Sequence, residues 1–560
     1  MSTKTTVASA RIKPMRNMQT KMILKHNIMA AQLIVEMLKT SLGPKGLGKI
    51  LMDQGGDVVV TSSGFTILKE LSDSKELLHP IAKIMGDSTK AIYNEVGDGT
   101  ISTIVILGSL LKGAEELLDK GVHPTIIVSG YKKAAQKALK LLNEASQFVP
   151  RDYEWLKRVI HTCISTTLFS KYSILSELIS EATQLIADNL NGKFKVDIDN
   201  VAIKRMAGGT LSDSTLIKGV LIDKSVVHPE MPKKVSNACI ALLNSPIEVR
   251  KTEWDPRAIL SSLNQRQILI DEKKKMMRDI VNKFVDLGVN VILCRKGIDS
   301  IAQEYLARAK ILAVKDILPE DMNRLARAVG GKIIADFNNI TKDDLGFADL
   351  VEEKKFRGLF YEERWVFVEG CKNPKAVTIL LRASSYRIVN EAERVVRAAL
   401  IVAKNLLENP YVVLGGGAIE TYLAQKLRSW SYTIAGKEQL AIQKFCDALE
   451  SIPITLAQNS GMNPIDIISE LRMRHNEGYN WFGIDAIKRE VVDVRICNIY
   501  EPLVVKEQVI KSATDVASII LRTDLILEAK ELKKPPKPLK PPKKEEEEEE
   551  KIKEFHEVVL

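Results

Sequence analysis

The sequence predicts a multidomain α+β protein in which a helical domain is built from both chain ends and mixed α/β domains are inserted in it. Three observations predict this. A length of 560 residues, at roughly 150 residues per domain, makes about three or four domains the expectation. Apolar residues recur at helical spacing up to Ala145 and again from Asn390 to about Leu521. Between these stretches short β-branched runs alternate with turns, so one discontinuous helical domain brackets a mixed centre.

Composition bounds the function. Apolar residues make up 45% and charged residues 27%, which excludes wholesale disorder and a collagen-like or coiled-coil rod. Aromatics are 5%, so the core is mainly aliphatic. Lys and Arg number 81 against 71 Asp and Glu, a net charge of +10. That excess permits an acidic partner, but no Lys/Arg stripe with interleaved aromatics marks a specific nucleic-acid surface. Cys163, Cys239, Cys294, Cys371, Cys446 and Cys497 have no metal spacing, so a reduced, cytoplasmic protein is expected. His79, His123 and His228 each precede proline and point to turns. Lys25, His26 and Glu36 break the first apolar stretch, and the Ile101–Leu111 run is too short to span a bilayer.

Leu24–Leu42 reads as an amphipathic helix on Ile28, Leu33, Ile34, Met37 and Leu38, stopped by Gly43-Pro44. Lys49–Met52 and Val58–Thr61 flank a glycine turn and form a hairpin pattern. Helical patterns run over Pro80–Glu95, Thr100–Lys120 and Ile126–Ala145. Val196–Ile198, Leu216–Ile222 and Ile240–Leu243 read as strands. Strands Val289–Cys294 and Ile311–Val314 alternate with helices Ile298–Ala309 and Pro319–Val329. Lys533–Lys544 is a Lys/Pro run and Glu545–Glu550 an acidic block, a solvated or interaction tail.

Three glycine turns are candidates for chemistry. Leu42–Ile50 nearly matches a Walker A loop, but it follows a helix, and Ile50 lacks the hydroxyl that would hold Mg²⁺. Val96–Thr103 opens a long helix, whose free N–H groups suit a phosphate. Thr100, Ser102 and Thr103 add hydroxyls, and Asp98 is either a bridging Mg²⁺ ligand or a simple cap. Gly415-Gly416-Gly417 lies between an apolar run and a helix. No dinucleotide fingerprint, nucleophile elbow or zinc-protease motif is present.

Leu42–Gly46, Gly97–Thr100 and Gly415–Gly417 occur in the order and spacing of the group II chaperonins, the archaeal thermosome and the related eukaryotic cytosolic ring. His123–Ile127, Val226–Pro229, Lys296–Asp299 and Glu501–Leu503 add to the likeness, which covers about residues 20–525. The chain most resembles a divergent, gamma-like thermosome subunit. The resemblance implies an equatorial domain (18–148 and 406–530), an intermediate domain (149–219 and 370–405) and an apical domain (220–369); beyond it, the Lys/Pro/Glu composition makes 531–560 a disordered tail. It implies a lid protrusion near 253–285, where Ile259, Leu260, Leu263, Ile268 and Leu269 would meet neighbouring lids or unfolded substrate; an ordinary packed helix is the alternative. It also implies ATP and Mg²⁺ as cofactors, with other chaperonin subunits and non-native polypeptides as partners. Carried over by position, Leu42, Gly43, Pro44, Gly99, Thr100, Ile101, Ser102 and Thr103 resemble the nucleotide contacts, and Asp98 the Mg²⁺ ligand. Lys171 resembles a γ-phosphate sensor, Gly416 and Gly417 the ribose-side turn, and Glu501 the acid near the ribose.

Two departures bear on the chemistry. The family's N-D-G-A-T-I-L segment reads Ser62-Ser63-Gly64-Phe65-Thr66-Ile67-Leu68 here, and its R-x-x-x-D-A-L segment reads Arg394-Val395-Val396-Arg397-Ala398-Ala399-Leu400. Ser63 and Ala398 therefore stand at two aspartate positions that serve hydrolysis. The expectation is a subunit that binds ATP and hydrolyses it slowly or not at all. The alternatives are an active subunit with a compensating acid, or a purely structural ring member.

Overall fold

The first helix, Asn17–Lys39, carries two apolar stripes rather than one. Ile28, Ile34 and Leu38 are buried, whereas Leu33 and Met37 are 63% and 46% exposed and lie with Met22 and Met29 on an outward stripe. The computed structural model of the chain describes residues 17–52, 56, 58–73, 79–190, 193–248, 263–358, 362–371 and 375–523. The expected hairpin forms, with Lys49 opposite Thr61 and Met52 opposite Val58. Helices Gly64–Asp73, Pro80–Val96, Thr100–Asp119 and Pro124–Ala145 follow. The Pro80 and Pro124 helices start alike: proline occupies the first turn, and the imidazole of His79 or His123 accepts from the N–H two residues on, at 3.3 Å in both cases.

These helices share a core with four from the far end of the chain, Ala418–Ser431, Glu438–Asn459, Pro464–Asn476 and Leu503–Leu521. Helix 100–119 lies at its centre, packed on helices 17–39, 438–459 and 503–521. That position explains its near-continuous apolar run, Ile104–Leu107 with Leu110 and Leu111, all buried. The helical reading after Asn390 needs correction. Helix Pro464–Asn476 continues it, but strands Tyr411–Leu414, Phe482–Asp485, Glu490–Asp493 and Tyr500–Pro502 interrupt it.

A second core joins helices Tyr153–Ser165, Ser173–Ile186 and Tyr386–Glu408 to a three-stranded sheet, order 201–207, 377–383, 215–217. A third lies around a seven-stranded sheet, order 312–314, 291–294, 234–243, 346–357, 362–369, 219–222, with 333–334 also on 234–243. Its helices are Leu263–Asp286, Ser300–Arg308 and Pro319–Val329. The expected strand Leu216–Ile222 is two strands in two sheets, Thr215–Ile217 and Gly219–Ile222, so this segment ties the second body to the third. Val196–Ile198 is the end of strand Lys193–Val196 followed by a 3₁₀ turn. Ile259, Leu260 and the tail lie outside the described residues; Leu263, Ile268 and Leu269 lie on helix 263–286, whose side chains are described from residue 271 onward.

Candidate functional site

Two glycine turns and the loop after the first helix open on one cavity. Helix 80–96 stops at Gly97, and helix 100–119 starts just beyond Asp98-Gly99, leaving the N–H groups of its first turn without partners inside the helix. A Cβ on Gly97 would stand 2.4 Å from the carbonyl oxygen of Ala398, so helix 386–408 is seated directly against this turn. Tyr93 Oη donates to Arg394 O at 3.2 Å and Asn405 Nδ2 to Glu95 O at 3.1 Å, fixing the same helix along its length. Gly415–Gly417 joins strand 411–414 to helix 418–431 and is held by Ile484 N, which donates to Gly416 O at 2.8 Å.

The cavity is lined by Leu42, Gly43, Pro44, Ser63, Asp98, Gly99, Thr100, Ile101, Ser102, Ala398, Gly416, Gly417 and Glu501. Two expected residues are not on its wall. Thr103 is buried behind it, its hydroxyl donating to Gly99 O at 2.9 Å. Lys171 is exposed in the turn after helix 153–165, and Ser165, Thr166 and Thr167 reach the cavity instead.

Four carboxylates border the cavity, and each has a partner. Asp98 Oδ1 accepts from Gly99 N at 2.6 Å; burial pushes its carboxyl up, while that bond and the nearby Lys506 ammonium pull it down. Asp485 accepts from Ile487 N and Lys488 N at 2.9 and 3.1 Å. Glu501 Oε2 lies 2.8 Å from Lys506 Nζ. Glu391 accepts from Thr61 Oγ1 at 2.7 Å on one oxygen and from Arg394 Nη1 at 3.1 Å on the other; burial raises its carboxyl above the ordinary range. Thr61 Oγ1 also accepts from Ser63 N at 3.0 Å, so Glu391 is one hydroxyl away from Ser63. Ser63 Oγ in turn accepts from Thr66 N at 3.4 Å and caps helix 64–73. Ala398 offers no polar side-chain atom.

The family model of the TCP-1/cpn60 chaperonins matches residues 34–531. Among curated relatives, thermosome subunit alpha of Archaeoglobus fulgidus is 46% identical over 511 residues, covering 91% of this chain and 92% of its own. Thermosome subunit beta of the same organism is 44% identical over 510 residues, with the same coverage. Thermosome subunit alpha of Saccharolobus shibatae is 43% identical over 524 residues, again 91% and 92%. The chain belongs to the group II chaperonins.

In this chaperonin the residues that sequence reasoning missed are charged groups at buried positions. Lys506 bridges Glu501 and Glu420, with Nζ 2.7 Å from Glu420 Oε1. A signal existed: Leu503, Lys506, Ile510 and Ala513 form one helical stripe whose other members are buried. Glu391 lies three residues before Arg394 on helix 386–408, but nothing in that spacing marks it as facing Thr61. Among the described residues no cluster of His, Cys, Asp and Glu forms a ready metal cage, and no helix is long and apolar enough to cross a membrane.

Proposed function

We propose that this chaperonin subunit binds ATP with Mg²⁺ in the cavity around Asp98, hydrolyses it slowly or not at all, and works beside other subunits in a double ring that closes over non-native polypeptides. In this reading the core drawn from both chain ends is the equatorial domain. The body around helix 386–408 is intermediate, the seven-stranded body is apical, and helix 263–286 belongs to its lid.

The residues fit the nucleotide. Two helices present their N-terminal N–H groups to one cavity, which favours a polyanion. Thr100 and Ser102 supply hydroxyl donors on the wall. Asp98 on the same wall would repel a bare phosphate, so it fits a cation held between carboxylate and phosphate. Mg²⁺, when bound, supplies charge neutralisation at the phosphates. One observation carries the reading of slow hydrolysis: Ser63 and Ala398 face the same cavity as Asp98, and neither brings a base. Loss of general-base help costs roughly 10²- to 10⁴-fold. Glu391 is the acid placed to compensate, but both its oxygens are engaged, one by a guanidinium. The A. fulgidus relatives named subunit alpha and subunit beta support assembly with unlike subunits.

Single-turnover hydrolysis of pre-bound ATP tests this. The double variant Ser63→Asp/Ala398→Asp is expected to exceed the natural chain by about 100-fold or more. Equal rates would remove the claim of slow turnover. A brisk natural rate abolished by Glu391→Gln would give Glu391 the missing role.

A further inference from the structure

We infer that Lys506 is a positioning residue: it holds one oxygen of Glu501 so that the other faces the cavity, ready to accept from a ribose hydroxyl of the bound nucleotide. The inference rests on the nucleotide reading above and assigns a role to a residue that the resemblance leaves without one.

Lys506 stands on helix 503–521 with its side chain only 6% exposed, an uncommon setting for a lysine. Its Nζ lies 2.7 Å from Glu420 Oε1 and 2.8 Å from Glu501 Oε2. An ammonium has three protons at fixed angles, so two carboxylates that share it cannot turn independently. The two acids are used differently. Glu420 is sealed in, and its Oε2 is buried without a partner. Glu501 is 21% exposed and lines the cavity with Lys506, Gly416 and Gly417. Its Oε1 points to the glycine turn, 3.0 Å from where a Cβ on Gly415 would stand, and has no hydrogen-bond partner among the described residues. One oxygen is thus pinned from behind and one presented beside the turn. A lysine that only filled the core would need Glu420 alone. Orientation fixed before binding is what makes a single hydrogen bond selective.

The test is equilibrium binding of Mg-ATP and Mg-2′,3′-dideoxy-ATP to the full chain. A hydrogen bond to a charged group makes the natural protein prefer ATP by about 10- to 100-fold. In Lys506→Met that preference is expected to fall below about threefold. Should that variant not fold, because two buried acids lose their common partner, Lys506→Met/Glu420→Gln restores the charge balance and carries the same measurement. A methionine variant that keeps the natural ratio overturns the inference and leaves the pocket reading intact; a purely structural lysine would change stability or overall affinity without changing the ratio. A natural chain that binds neither nucleotide overturns the pocket reading itself. Natural binding without preference overturns the contact between Glu501 and ribose.

Discussion

Glu450, 2% exposed, is held by two guanidiniums at once. Arg428 donates to both its oxygens at 3.1 and 2.8 Å, and Arg472 donates to one at 2.8 Å and contacts the other. Burial raises its carboxyl, but the two arginines outweigh burial and hold it below the usual Glu range. A depressed folded-state pKa means stability that is complete above the unfolded value, about 4.3, and lost as the pH falls through the folded one. Glu450→Gln is therefore expected to cost about 2–4 kcal/mol at pH 7 in urea denaturation, the lower half of that range reflecting a half-exposed Arg472. The gap to the natural chain should narrow as the pH drops below about 4; a gap that stays constant to low pH would contradict this account. The same kind of residue marks the limit of what the sequence shows. Glycine turns were legible because few other residues suit the left-handed backbone, which let the cavity's glycines and Asp98 be named in advance. Glu450, Lys506 and Glu391 were not, because a charge in a helical pattern reads as solvent-facing unless its partner, distant in sequence, is known.

Elements were legible where one period ran unbroken, as in helix 319–329, and obscure where neighbours dictate the pattern. Strand Gly346–Arg357 carries Glu352–Lys355, a charge run with no strand signature. It is a strand because 234–243 and 362–369 pair with it on both sides, while Glu353 meets Lys233 and Lys354 meets Glu369. The outward stripe of helix 17–39 is the converse case: Leu33 and Met37 have the right spacing for a core that this chain does not place there. How tightly elements meet can be tested at two glycines with similar backbones. Gly97 has φ +78 and Gly121 φ +76, both in the left-handed region. A Cβ at Gly121 meets nothing within 4 Å, whereas one at Gly97 meets backbone of helix 386–408. Gly121→Ala is expected to cost about 1–2 kcal/mol from conformation alone, and Gly97→Ala about 2–4 kcal/mol once the collision is added. Chemical denaturation of both variants measures the difference, and equal costs would mean that the helix gives way freely.

At the scale of the whole molecule, the seven-stranded body is joined to the rest by a narrow seam, apolar in its middle and ionic at one side. The apolar part is Met206, Ile217, Leu221, Trp365, Phe367 and Leu380. Beside it the Thr378 hydroxyl donates to Gly219 O at 3.0 Å and accepts from Leu221 N at 3.1 Å. At the ionic side, helix 319–329 faces residues 197–204. Asp321, nearly buried, accepts from Lys204 Nζ at 2.8 Å and from Arg324 Nη1 at 3.0 Å; Arg324 Nε donates to Asp199 O at 2.7 Å; Arg327 pairs with Asp197 at 2.8 Å. Each body has its own core, so separating them exposes the seam and leaves the cores intact, an opening of lower cost than global unfolding. Asp321 is the hinge of that cost, because two cations from the two bodies depend on one carboxylate. Replacing one partner of a buried pair leaves charge unpaired, so Asp321→Asn is expected to weaken docking by about 2–4 kcal/mol. In hydrogen exchange this appears as protection reduced about thirtyfold or more at Leu221, whose amide donates across the seam to Thr378 Oγ1, with residues 100–119 and 291–294 exchanging as before. Loss of protection in those two cores as well would show that the bodies unfold as one unit, and unchanged protection at the seam would show that its apolar part alone holds them together.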